Sequence, residues 1–163
     1  MLHDRRREVH VEARAALVRF FEDQIAFNRL LGMRISSHGD GECRIVIPHR
    51  PELLGDPFRP ALHGGVISTL ADTAGGLAVF TQLDLTQRRV ATVDLRVDYL
   101  RPGRAEDLHC DARVVRAGNK VAVAAMVCWQ GTGPEDYVVA DCRGVYNVVR
   151  KVTNFGESLE DGS

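Results

Sequence analysis

The chain has 163 residues, of which 45% are hydrophobic and 26% charged, so it is long enough to bury a core of its own as one domain. Its 21 basic and 22 acidic side chains give a formal net charge of −1. This balance argues against a general binder of nucleic acids or of membrane surfaces, because such a protein needs a basic excess on at least one face.

The first thirty residues carry apolar side chains at steps of three or four, which predicts an amphipathic N-terminal helix packed on the rest of the protein. The positions are Val11, Ala15, Val18, Phe21, Ile25 and either Phe27 or Leu30. The charged start of the chain has no apolar segment of the kind an export signal needs, so we expect a cytoplasmic protein. No stretch reaches the roughly eighteen apolar residues of a membrane span.

The four cysteines form no CxxC pair and have no histidine at the spacing of metal ligands, so we expect no metal site. They are Cys43, Cys110, Cys128 and Cys142. In a reducing cytoplasm they would be free thiols that act as small apolar side chains.

A change of period after Gly32 predicts a β-hairpin, because apolar residues then alternate with polar ones around a turn at 38–41. Four prolines between Pro48 and Pro60 prevent regular structure. The irregular connection leads to His63-Gly64-Gly65, where a helical pattern begins that runs to about Phe80.

Four strand candidates follow this helix, over residues 93–99, 108–114, 121–129 and 137–149. A short turn at 117–120 joins two of them, so the last three predict an antiparallel meander. The predicted fold is α+β, with one long, mostly apolar helix against a curved antiparallel sheet of five or six strands and an extra N-terminal helix. We divide the chain into a helical extension (1–30), one domain (31–150) and a polar tail (151–163) that we expect to be mobile.

The predicted helix at 64–80 contains Asp72 as its only charged residue. Opposite its apolar stripe it presents Gly, Ser and Thr, so we expect both faces to be covered. Glycine inside a helix costs about 1 kcal/mol relative to alanine, so Gly75-Gly76 indicates a close approach to the backbone by a partner subunit or a ligand. A carboxylate in such a place is either a structural group satisfied by hydrogen bonds or a general base or nucleophile.

The glycines at the helix start, Gly64 and Gly65, would let ligand atoms reach free backbone N–H groups at the positive end of the helix dipole. That is the geometry of an oxyanion hole, although the glycines could instead only turn the chain. Asp72 follows Gly64 by eight residues, about 12 Å along a helix. The Gly64 amide and the Asp72 carboxylate of one chain are therefore too far apart to contact one substrate carbonyl. A dimer could instead bring the helix start of one subunit close to the Asp72 of the other.

The segments LHGGVISTLADTAGGLA and ATVDLRVDYLRP, followed by a strand meander, resemble the PaaI-type acyl-CoA thioesterases of the hotdog superfamily over about residues 32–149. The resemblance implies a sheet wrapped around a central helix, a homodimer that commonly pairs into a homotetramer, and hydrolysis of acyl-CoA thioesters without a cofactor. It also implies that Asp72 is the catalytic carboxylate, that the Gly64 amide polarises the thioester carbonyl, and that His63 orients the loop.

Thr92 falls where relatives have a Ser or Thr that helps to position water. Many relatives also have Asn or Gln six residues before the motif histidine, but here that position is Pro57, with Asp56 as the nearest polar substitute. The phosphates of coenzyme A require basic partners, and Arg101, Arg116 and Lys120 in or near turns are the candidates.

Two further functional interpretations of the same fold stay open. Hydration of an enoyl thioester would need a histidine about five residues after the aspartate, where this chain has Leu77. A non-catalytic acyl-CoA sensor or scaffold would keep the pocket without turnover. A purely structural module is the remaining possibility.

Overall fold

The computed structural model describes Glu12, residues 15–83 and residues 88–150. Its core element is a six-stranded sheet in which every neighbouring pair is antiparallel and the strand order is β1-β2-β4-β5-β6-β3. The strands are β1 (Arg34–Gly39), β2 (Glu42–Ile47), β3 (Arg88–Tyr99), β4 (Leu108–Ala117), β5 (Val121–Gln130) and β6 (Tyr137–Arg150). The prediction of an α+β fold is confirmed, with six strands.

The long helix α2 (Gly64–Phe80) lies across the sheet and packs against β2, β4 and β5. Its inner stripe, including Leu70, Ala74 and Leu77, is fully buried against the inward residues of the strands. In the strand order given above, β1 and β3 are the two edges of the sheet. The predicted bounds of the helix are confirmed.

The N-terminal segment is not the single helix that the spacing predicts. An α-helical stretch at 15–19 passes into a π-helical turn (Phe20–Gln24), Ile25 is extended, and a second short helix α1 (Ala26–Leu31) follows. The buried Asn28 amide closes the break by donating to the Phe21 carbonyl at 3.0 Å. Because the π-turn shifts the helical register, Leu17 is buried in place of the predicted Ala15.

All four cysteines are free and buried, and they point into the core from β2, β4, β5 and β6. Burial raises the pKa of the Cys43 thiol to about 12, which keeps it protonated and unreactive. Within the described part of the chain, no helix is both long and apolar enough to cross a bilayer. The predicted tail at 151–163 and the predicted helical position Val11 lie outside the described residues.

Candidate active site

His63 caps the start of α2. Its extended backbone precedes the first helical residue, and its Nδ1 accepts a hydrogen bond from the Gly65 N–H at 2.9 Å. A Cβ on Gly65 would lie 2.9 Å from the same Nδ1, so the cap needs glycine there. The cap uses the Gly65 N–H as its donor. The Gly64 N–H stays free, because it has no acceptor within the helix and none among the other described residues.

Tyr99, the last residue of β3, contacts the same helix start. Its hydroxyl donates to the Gly64 carbonyl at 3.0 Å, and its ring lies 3.5 Å from where a Cβ on Gly64 would be. The alternation in the sequence predicts Tyr99 as a strand residue and gives no signal for this contact. The strand end therefore fixes the position of the glycine whose N–H is free.

Asp72 lies two turns further along α2 and is half-buried. The Thr92 hydroxyl of β3 donates to Asp72 Oδ1 at 2.8 Å. Because this bond uses one carboxylate oxygen, the other is left for a ligand or water. The structure therefore brings together two of the predicted site residues, Asp72 and Thr92.

The close approach at Gly75 comes from this chain's own Tyr146, so the expectation that a partner subunit or a ligand fills that space is wrong. A Cβ on Gly75 would lie 2.1 Å from the Tyr146 hydroxyl oxygen, whereas the nearest atom to a Cβ on Gly76 is 3.7 Å away. The Tyr146 hydroxyl donates to the Asp72 carbonyl at 3.1 Å. Burial first, and then the nearby Asp72 charge, raise the pKa of this tyrosine, so it remains a neutral donor.

The face of α2 around Asp72 is covered by small polar side chains. The hydroxyls of Ser68 and Thr69 donate to the Gly65 carbonyl at 3.2 and 2.7 Å, within the helix itself. Both residues are half-buried, so this face is only partly covered in one chain. The sequence-based expectation that both faces of the helix are covered is therefore met by the core on one side only.

One chain does not bring Gly64 and Asp72 together, because eight residues of helix separate them by about 12 Å. The two residues contact opposite ends of β3. Tyr99 bonds Gly64 and Thr92 bonds Asp72, so β3 runs antiparallel to α2. A site that uses both the free N–H and the carboxylate on one carbonyl therefore needs a second chain.

The three predicted basic residues lie at two ends of the sheet. Arg101 follows β3 and stacks over Tyr137, 5.3 Å from its ring centre, at the end where α2 begins. Arg116 and Lys120 are exposed at the opposite end, in and beside the β4–β5 turn. One chain does not gather these cations around one ligand.

The Asp56 side chain forms hydrogen bonds within its own loop. Its carboxylate accepts from the Phe58 N–H at 2.8 Å and from Arg59 Nε at 3.1 Å. The Phe58 amide first, and then Arg59, lower the pKa of this carboxyl. Asp56 therefore braces the proline-rich loop before α2.

Comparison with known proteins identifies the family. A family model described as the thioesterase superfamily matches residues 60–137. A putative esterase of Halobacterium salinarum is 45% identical over 112 residues, which cover 68% of this chain and 74% of that protein. The medium/long-chain acyl-CoA thioesterase YigI of Escherichia coli is 39% identical over 116 residues, which cover 64% of this chain and 75% of that enzyme.

Solved structures agree with the sequence relatives. A thioesterase-superfamily protein of Shewanella oneidensis superposes with a TM-score of 0.76 at 31% identity, covering 86% of this chain and 98% of that one. A thioesterase family protein of Silicibacter pomeroyi gives 0.75 at 26% identity, covering 84% and 98%. The chain belongs to the thioesterase superfamily and has its hotdog fold. Within that superfamily it is a PaaI-type thioester hydrolase.

Proposed function

We propose that this protein hydrolyses acyl-CoA thioesters at a site where Asp72 of one chain faces the free Gly64 N–H of another. The observation that carries the proposal is the Thr92–Asp72 hydrogen bond, which orients a half-buried carboxylate on the small-residue face of α2. At the start of the same helix, one amide is left without an acceptor among the described residues. These are the two groups that acyl transfer requires.

Such a site suits a thioester because coenzyme A thiolate is a good leaving group. Asp72 either removes a proton from water that attacks the carbonyl carbon, or attacks that carbon itself to form an anhydride that water then opens. In both routes the developing oxyanion accepts a hydrogen bond from the Gly64 N–H. The C–S bond then breaks, and the thiolate leaves and takes up a proton. His63 keeps the helix start in place through its bond to the Gly65 amide, and the absence of a side chain on Gly65 leaves room for the His63 ring that makes this bond.

The exposed edge strand β3 supports the two-chain site. Val93 and Tyr99 on this strand and Leu100 just beyond it are 65%, 54% and 57% exposed, an apolar edge that a second β3 would cover. Antiparallel pairing of two copies of β3 would bring the Thr92 end of one strand beside the Tyr99 end of the other. Because Thr92 bonds Asp72 and Tyr99 bonds Gly64, the homodimer would hold both groups on one carbonyl.

The same antiparallel pairing of two β3 strands favours coenzyme A as the leaving group. It would bring Arg101, at the Gly64 end of one chain, toward Arg116 and Lys120 at the Asp72 end of the other, where three cations could bind phosphates. The name of the relative YigI, a medium/long-chain acyl-CoA thioesterase, agrees with this substrate class. A further pairing of dimers into a homotetramer, a cytoplasmic location, and the lack of a cofactor, nucleic-acid or membrane partner stay predictions from the sequence.

Hydrolysis of a panel of aliphatic and aromatic acyl-CoAs tests the proposal, with release of free thiol as the readout. We expect turnover by the wild type and a loss of about 100-fold or more in Asp72→Asn, as for removal of a general base. Asp23→Asn, a change at an exposed aspartate of the π-helical turn, is the matched control and should keep full activity. An active Asp72→Asn variant would refute the role of Asp72.

The alternative is a non-catalytic acyl-CoA sensor or scaffold. It predicts tight binding of a nonhydrolysable CoA ester, measured by calorimetry, together with no thiol release from any member of the panel. The Thr92 bond argues for the enzyme, because a sensor has no need of an oriented carboxylate beside the thioester.

A further inference from the structure

The N-terminal segment lies along α2 and runs in the opposite direction. The ring centres of Phe20 and Phe80 are 6.4 Å apart at the C-terminal end of α2. Nearer the start of α2, the Thr73 hydroxyl donates to Asn28 Oδ1 at 3.5 Å. Because Thr73 directly follows Asp72, the segment passes beside the candidate catalytic carboxylate.

The side of α2 that carries Asp72 is open in one chain. Its half-buried or exposed residues are small, and with 3.6 residues per turn they fall within an arc of about 100°. They are Gly65, Ser68, Thr69, Asp72 and Gly76. Thr73 borders this arc where the N-terminal segment packs, and Gly75 borders it on the other side, against Tyr146 of β6. The open side is therefore the floor of a groove, and Asp72 is the only charged residue on that floor.

Two large apolar side chains of α1 border this groove. Phe27 and Leu30 are 53% and 63% exposed, whereas Asn28 and Leu31 are buried. Phe27 and Leu30 are three residues apart, so they share one side of α1. Because α1 is right-handed, runs antiparallel to α2 and turns Asn28 and Leu31 inward, this side borders the open side of α2. We call Phe27 and Leu30 the apolar wall.

The apolar wall is held in place by hydrogen bonds to its backbone and to its neighbours. The Arg50 guanidinium donates to the Leu30 carbonyl at 2.6 Å, and the Asn28 amide donates to the Phe21 carbonyl at 3.0 Å. Exposed apolar side chains that lie together beside a groove are typical of a binding site. A ligand that covers them at no electrostatic cost is an uncharged chain of methylene groups.

We propose that the apolar wall binds the acyl chain of the substrate and makes the enzyme selective for long acyl groups. This inference rests on the proposed function, which places the thioester carbonyl at Asp72. From there the floor of glycine, serine and threonine leads to Phe27 without crossing another charge. Each methylene group buried against the wall would strengthen binding about fourfold. The N-terminal extension would thus set the chain length, while α2 performs the chemistry.

The experiment measures thiol release from straight-chain acyl-CoAs between acetyl-CoA and hexadecanoyl-CoA. We expect the wild-type kcat/KM to rise with chain length. Phe27→Ser/Leu30→Ser should lower kcat/KM for dodecanoyl-CoA about 10-fold or more, and should change it less than about twofold for the shortest substrate hydrolysed, which does not reach the wall. Phe27→Leu/Leu30→Met keeps the apolar surface and should restore the preference. Arg29→Ser, an exposed change on the opposite side of α1, is the matched control and should leave every chain length unaltered.

Calorimetry separates this inference from the proposed function. The thioether S-dodecyl-CoA cannot be hydrolysed, and the double serine variant should bind it about 10-fold more weakly than the wild type, with equal affinity for coenzyme A itself. That result without turnover by the wild type would refute the hydrolase and support the wall. An equal change of activity at every chain length would overturn the wall and leave the hydrolase intact. A lower mass of the variant in light scattering would also overturn it, because a second copy would then cover Phe27 and Leu30.

Discussion

Gly64 is a residue whose backbone, and no side chain, would act on the substrate. A side-chain deletion cannot test such a group, but the position allows another change. Gly64 is the first residue of α2, where proline is tolerated, and His63 before it is already extended with φ −64° and ψ 132°. Proline would therefore remove the N–H while leaving the helix start intact.

We expect Gly64→Pro to lower kcat by about 100- to 1,000-fold, as for loss of one oxyanion donor, with little change in thermal stability. Gly64→Ala is the matched control, since it keeps the N–H and its Cβ would lie 3.5 Å from the Tyr99 ring, an ordinary contact. Steady-state kinetics of both variants check the prediction. Equal activity in the two would mean that the Gly64 amide plays no part in the chemistry.

At the scale of elements, the fit of α2 against β6 depends on two missing side chains, those of Gly75 on the helix and Gly144 on the strand. Tyr146 reaches across Gly144 to Gly75 and bonds the Asp72 carbonyl, so helix and strand are held at a fixed distance. We expect Gly75→Ala to destabilise the protein by about 1–3 kcal/mol, because its Cβ would overlap the Tyr146 hydroxyl. Activity should also fall, since the overlap lies within one turn of Asp72.

The adjacent Gly76→Ala is the control for that prediction. Its Cβ would meet nothing closer than 3.7 Å and it gains the helix propensity of alanine, so its melting temperature should equal or exceed that of the wild type. Thermal unfolding of the two variants gives the comparison. A Gly75→Ala protein as stable as Gly76→Ala would show that Tyr146 moves aside at little cost.

These elements also show what a sequence can predict. The bounds of α2 follow from local features, a histidine–glycine start after prolines and one apolar stripe to Phe80. The spacing correctly predicts an N-terminal helix but not its interruption, because steps of three and four are common to a continuous α-helix and to one interrupted by a π-turn. The contact of Tyr146 with Asp72 spans 74 residues and depends on strand register, which no local pattern encodes.

At the scale of the whole molecule, the candidate site depends on which chain supplies each group. The Thr92–Asp72 and Tyr99–Gly64 contacts lie at different points of one edge strand, so a pair of antiparallel edges would form two equivalent sites. Each site would take its carboxylate from one subunit and its amide from the other. Residue contacts within one chain cannot distinguish this arrangement from two unrelated half-sites, but the mixing of variants can.

Asp72→Asn and Gly64→Pro chains should each be nearly inactive alone and regain activity when unfolded and refolded together. In a mixed dimer, the intact Asp72 of the proline variant faces the intact Gly64 N–H of the asparagine variant, while the other site loses both groups. Random mixing makes half of the dimers mixed with one working site each, so activity should reach about one quarter of the wild type. Refolding each variant by itself is the control. A mixture that stays inactive while dimers form normally would place both groups of each site in the same chain.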